Sequence, residues 1–211
     1  MRVRFLVAVL LFATACSSAG ATPAVQADST GYEPVQLSMS LYIVDSTDGG
    51  IGAPLSSRRS LSDVDEIAER MTDIWEQAGV QLIIETTARI EASEDILVDL
   101  GNGDTASFLA AARTGAILIP DPGTINGFYV ARIGSANGMT PSGTRLFFVA
   151  DEPSVSDERV SSHEIGHILG LHHVLDDPGR LMFSGTDGTT LTDTESAVAR
   201  YAAIGILDGV R

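Results

Sequence analysis

Lysine is absent from this chain: all 13 basic residues are arginine, and 28 acidic residues oppose them for a formal net charge of −15. A surface this acidic repels phosphate backbones and anionic lipid heads, so nucleic acid is not an expected partner. Cysteine is nearly absent too, and the single Cys16 excludes any disulfide within the chain. Long apolar runs are missing. The one continuous stretch, residues 5–12, falls well short of the ~20 residues needed to span a bilayer. No internal repeat or second linker divides the sequence, which argues for one folding unit. Histidine is scarce, with 4 copies, and all of them lie between positions 163 and 173.

What is present suits a folded globule. Hydrophobic residues make up 44% and charged residues 19% of the 211 positions, enough to build one domain with a proper core. Arg2 and Arg4, the apolar stretch after them and the small residues Ala13, Thr14 and Ala15 form the pattern of an export signal over residues 1–15. The protein is therefore expected outside the cytoplasm. Ala13-Thr14-Ala15-Cys16 resembles the lipobox of bacterial lipoproteins, in which the cysteine carries the lipid, although leucine is more usual where Ala13 stands. Ordinary cleavage after Ala15 or slightly later is the alternative. A lipidated Cys16 makes a cell-envelope lipoprotein whose only membrane contact is its anchor; an unlipidated chain is secreted. Residues 16–34 are rich in Ser, Ala, Thr, Gly and Pro without apolar periodicity and read as a flexible tether reaching on the order of 25 Å. Cleavage after residue 15 leaves 28 acidic against 11 basic residues, a net charge of −17. The folded domain is expected over residues 35–211, as a monomer.

Residues 35–44 alternate as a strand, with Leu37, Met39, Leu41 and Ile43 on one face, and residues 45–52 break it. Over 62–78, Val64, Ile67, Met71, Ile74 and Trp75 recur at helical spacing, with Ser62 as N-cap and Gly79 as terminator. Trp75 belongs to that buried stripe rather than to a ligand platform. A second strand follows at 80–84, a short helix at 104–113, and extended segments at 116–119, 125–133 and 145–150. Ser156 or Asp157 caps a helix running to about Leu171. Thr192 and Asp193 open a last helix to about Ile206, with Ala197, Val198, Tyr201, Ala202 and Ile206 expected on its buried side.

From His163 to His173 the sequence reads His-Glu-Ile-Gly-His-Ile-Leu-Gly-Leu-His-His. Residues four apart on a helix stack one turn above each other, so His163 and His167 can share one metal ion. Gly170 can leave the helix without a Cβ penalty and turn the chain back, bringing His173 to a third corner. Three protein ligands with the fourth position left to water is the arrangement of catalytic zinc, whereas structural zinc is closed by four. Glu164 points about 100° away around the helix, where it can reach that water without ligating the metal, and is the candidate general base. The chemistry implied is hydrolysis of a carbonyl by water, with the same carboxyl returning the proton to the leaving amine. Scattered by composition alone, five fixed letters at these spacings would arise with a chance on the order of 1 in 10⁵. His172 does not fit the spacing and is assigned to solvent or to an outer position.

This motif resembles that of the metzincin zinc peptidases. Arg180-Leu181-Met182-Phe183-Ser184 resembles their Met-turn, and Met182, nine residues after His173, would be the methionine floor beneath the metal. Where some metzincins place a tyrosine ligand two residues further on, Ser184 stands here, so no tyrosine ligand is assigned. The order of elements is closest to the matrixin and pappalysin-like groups. The resemblance implies an α+β fold: a twisted mixed sheet of about five strands, a long N-terminal helix, an active-site helix and a C-terminal helix. It also implies a peptide or protein substrate held extended along the sheet edge at 136–141, with Phe183 and Ser184 walling a specificity pocket. No cysteine-switch propeptide is expected, because Cys16 sits in the signal region. One catalytic zinc is the implied cofactor. Family members often hold Ca²⁺ as well, and residues 45–50 offer oxygens, but an acidic exposed loop explains them as readily. Two other functions remain open on sequence: a noncatalytic zinc-containing surface module, whose mark would be a missing base, and a hydrolase of nonpeptide amides.

Overall fold

The structure is a computed structural model, and it describes residues 33–117 and 124–209. The signal segment, Cys16, nearly all of the tether and part of the extended segment expected at 116–119 lie outside these residues. Ten elements follow in order: β1 Val35–Ser46, α1 Leu61–Glu76, β2 Val80–Ala92, α2 Glu94–Gly101, α3 Ala106–Thr114, β3 Ile125–Val130, β4 Gly138–Met139, β5 Leu146–Ala150, α4 Asp157–Ile168 and α5 Asp193–Leu207. The strands form one sheet in the order β2-β1-β3-β5-β4. Four of them run parallel, and β4 pairs antiparallel with β5 at the edge.

A parallel sheet must be covered on both faces, and strand alternation sorts its side chains accordingly. Leu37, Met39, Leu41 and Ile43 of β1 meet Val64, Ile67, Met71 and Trp75 of α1, together with Ile165 of α4 and Ala199 of α5. Tyr42, Val44, Phe128 and Phe148 point the other way onto Leu97 and Leu100 of α2 and Phe108 of α3. Phe108 meets Phe128 and Phe148 edge-on at centroid distances of 4.9 and 5.0 Å. This double covering buries nearly every residue of β1 from Met39 onward.

Several boundaries differ from those expected. Helix α1 is capped by Ser60 rather than Ser62. The Ser60 hydroxyl accepts from the Asp63 N–H at 3.2 Å, and the Asp63 carboxylate accepts from the Ser60 N–H at 2.8 Å, a complete capping box. Strand β2 continues eight residues beyond Ile84. Its polar residues Glu85, Thr86 and Thr87 sit on a half-covered edge, and Glu85 is the extra residue of a bulge opposite Met39 and Ser40. Helix α2 has no counterpart in the expectations. Helix α5 turns a different face inward: Glu195, Ala199 and Ala203 are buried, Ala202 and Ile206 pack beside them, and Ala197, Val198 and Tyr201 face solvent.

Candidate metal centre

Helix α4 is anchored before it reaches the site. The buried Arg59 guanidinium forks onto the Asp157 carboxylate at 2.7 and 2.8 Å and donates to the Ala150 carbonyl at 2.8 Å. The first turn of α4 is thereby tied to the end of β5. Ser156 adopts the extended N-cap conformation, but its hydroxyl caps nothing; its N–H donates to Asp187 at 2.8 Å.

The helix ends at Ile168, and Gly170 takes the left-handed conformation at φ +82°. The Gly170 N–H donates to the His167 carbonyl at 3.1 Å and the Leu171 N–H to the Gly166 carbonyl at 2.8 Å, the paired bonds of a Schellman closure. This reversal carries His173 back over the helix. Its Nε2 lies 3.0 Å from His163 Nε2 and 3.1 Å from His167 Nε2. A carbonyl oxygen can only accept, so the contacts of Nδ1 fix the proton: His163 Nδ1 donates to the Leu181 carbonyl at 2.8 Å and His167 Nδ1 to the Leu171 carbonyl at 3.1 Å. The Nε2 atoms of both rings therefore present bare lone pairs to His173.

With the His173 proton on Nδ1 as well, three lone pairs converge here and repel unless a cation lies between them. Zinc–nitrogen bonds of ~2.0–2.1 Å in a tetrahedron put neighbouring nitrogens ~3.3 Å apart, close to the spacing observed. Burial holds the pKa of His163 down to about 4 and that of His167 below its ordinary value, so both are neutral, as ligation requires. Among the described residues, these three histidines are the group of ionisable side chains able to surround one ion. The set therefore fits zinc, with no fourth protein ligand beside it among the described residues.

Glu164 is buried against the edge strand. The Thr140 hydroxyl lies 2.8 Å from its Oε2 and 3.0 Å from its carbonyl oxygen. Gly138 in β4 leaves it room: a Cβ there would stand 2.8 Å from Glu164 Oε1 and 2.7 Å from Val160 Cγ1. Burial raises the Glu164 pKa to about 7, against the opposing pull of the Thr140 hydroxyl and the Arg159 charge.

Below the helix, Arg180 to Phe183 closes as a tight turn, with the Phe183 N–H donating to the Arg180 carbonyl at 3.1 Å. Met182 is fully buried, and its sulfur sits 2.5 Å from where a Cβ on Gly166 would lie. The side chain packs against the helix at Gly166, the residue before His167.

A cleft of about 470 Å³ opens beside the histidines, bordered by Thr140, Arg145, His167, Leu171, His172 and Ile206. Phe183 and Ser184 are not among the residues that border it. His172 is exposed in this cleft and stands outside the triad. Asp45, considered for calcium, accepts the Arg89 guanidinium through two 2.6 Å contacts instead. The edge segment expected at 136–141 contains β4. Three residues around the site escaped the sequence reading. Gly138, Thr140 and Arg159 carry no motif, and the first two reach Glu164 only through the pairing of β4 with β5.

The sheet, its helices and the histidine cluster define a zincin-like fold. No family model and no curated protein matches the sequence. Among solved structures, archaemetzincin from Methanopyrus kandleri is similar at 13% identity and TM-score 0.54, covering 80% of this chain and 96% of its own. Metalloproteinase-II from Bacteroides fragilis is similar at 16% identity and TM-score 0.50, covering 81% of this chain and 53% of its own. A chain in a structure described as a chaperone–substrate complex is similar at 15% identity and TM-score 0.51, covering 82% of this chain and 35% of its own.

Proposed function

We propose that the protein is a zinc-dependent endopeptidase acting outside the cytoplasm, with His163, His167 and His173 as metal ligands and Glu164 as general base. The observation that carries this reading is the convergence of three imidazoles, with a buried carboxyl beside two of them on the same helix. Bound there, zinc supplies a Lewis acid that acidifies water and polarises a carbonyl. Glu164 accepts a proton from the attacking water and delivers it to the departing amine, a role suited to a carboxyl whose pKa is raised to about 7. Gly138 and Thr140 hold that carboxyl in place. The edge of β4 offers unpaired backbone groups to an extended peptide, the usual means of strand addition. Archaemetzincin and metalloproteinase-II, which share the fold, agree in name with a metallopeptidase. The extracytoplasmic location rests on the signal pattern of residues 1–15, with Cys16 as its anchor.

The test is cleavage of a mixed peptide library by the purified chain, with and without a chelator, beside Glu164→Ala checked for bound zinc. Cleavage that the chelator abolishes and the zinc-loaded variant lacks is expected. Full zinc occupancy without cleavage in either protein would instead favour a binding module or a nonpeptide substrate.

A further inference from the structure

Arg159 lies one turn before His163 on α4 and is almost completely buried. Among the described residues it forms no ion pair; Asp187 and Glu164 reach it only through their longer-range fields. Its guanidinium is held by backbone carbonyls alone. Nη2 donates to Leu181 at 2.9 Å and also to Phe183, and Nε donates to Gly188 at 3.4 Å. A buried cation without a carboxylate partner is unfavourable, and burial lowers its pKa. An apolar side chain would fill this space at less cost, so the forked donors are what the position uses.

The Leu181 carbonyl joins Arg159 to the metal centre, because its oxygen also accepts the Nδ1–H of His163 at 2.8 Å. One lone pair takes the guanidinium and the other takes the imidazole. By gripping Phe183 as well, the fork keeps the peptide plane at Leu181 from turning away. We infer that Arg159 is a positioning residue for the metal centre: by fixing the Leu181 carbonyl, it locks His163 in the Nδ1–H tautomer with Nε2 aimed at the metal. Outer partners of this kind tune metal affinity by about 10- to 100-fold. The inference rests on the zinc reading proposed above.

The test compares the full chain with Arg159→Met and Arg159→Lys. Zinc affinity is measured by chelator competition, and the visible spectrum of the Co²⁺-loaded proteins reports ligand geometry. Arg159→Met is expected to bind zinc at least tenfold more weakly and to show an altered Co²⁺ spectrum, while circular dichroism stays native. Arg159→Lys, which keeps the charge but replaces the planar fork with a single ammonium nitrogen, should recover part of the affinity. Unchanged affinity and spectrum in a folded Arg159→Met protein would overturn the inference. Should that variant not fold, Arg159→Lys decides: affinity equal to the parent's overturns it, and weaker binding at unchanged melting temperature supports it. A parent chain that binds no zinc would overturn the zinc reading itself.

Discussion

At the scale of single residues, the histidine cluster is written in the sequence because a helix has a fixed period. His163 and His167 need only four-residue spacing to converge, and Gly170 marks the reversal that returns His173. What holds the Glu164 carboxyl was not legible. Thr140 and Gly138 lie more than twenty positions from Glu164 and meet it through sheet pairing that no local pattern encodes. Gly138 is the sharper probe, since a Cβ there would stand 2.8 Å from Glu164 Oε1. Gly138→Ala should displace the carboxyl and lower kcat by about 100-fold, the scale of a 1 Å misplacement, while zinc stoichiometry stays at the parent's value. Steady-state kinetics with metal analysis of the same sample checks this.

At the scale of elements, long periodic segments were legible and their inward faces less so. The stripe of α1 was assigned correctly, because Val64, Ile67, Met71 and Trp75 are large and stand apart from polar neighbours. Helix α5 misled because it approaches the sheet closely. Small residues, Ala199 and Ala203, make its buried face, while the larger Val198 and Tyr201 stay in solvent. Of the residues expected inside, Ala202 and Ile206 pack against the core, while Ala197, Val198 and Tyr201 do not. Strand β2 was cut short for a related reason: half-exposed edge residues tolerate Glu and Thr, which read as a break. The α5 assignment predicts opposite outcomes for two substitutions. Ala199→Leu should overpack the sheet contact and destabilise the fold by about 1–3 kcal/mol, whereas Tyr201→Ser should stay within about 0.5 kcal/mol. Urea midpoints of the two variants separate these cases, and equal shifts would contradict the observed face.

At the scale of the whole molecule, the fold class was legible through resemblance: the histidine motif and the order of strands and helices are similar to those of the metzincins, which implies a twisted mixed sheet with these helices. The parallel sheet carries α4 across one face and leaves β4 as an open antiparallel edge beside Glu164. Similar structures at 13–16% identity keep this frame with little shared sequence, so packing pattern rather than individual residues specifies it. Function lies in the small set of groups grafted onto it, and the central claim is that three histidines of this chain hold one zinc ion. X-ray absorption at the zinc edge, on the full chain after metal loading, tests it most directly. One zinc per chain with a scattering pattern of three imidazoles is expected, falling to substoichiometric zinc in His173→Ala. A parent protein that retains no zinc, or an imidazole count left unchanged by that substitution, would contradict it.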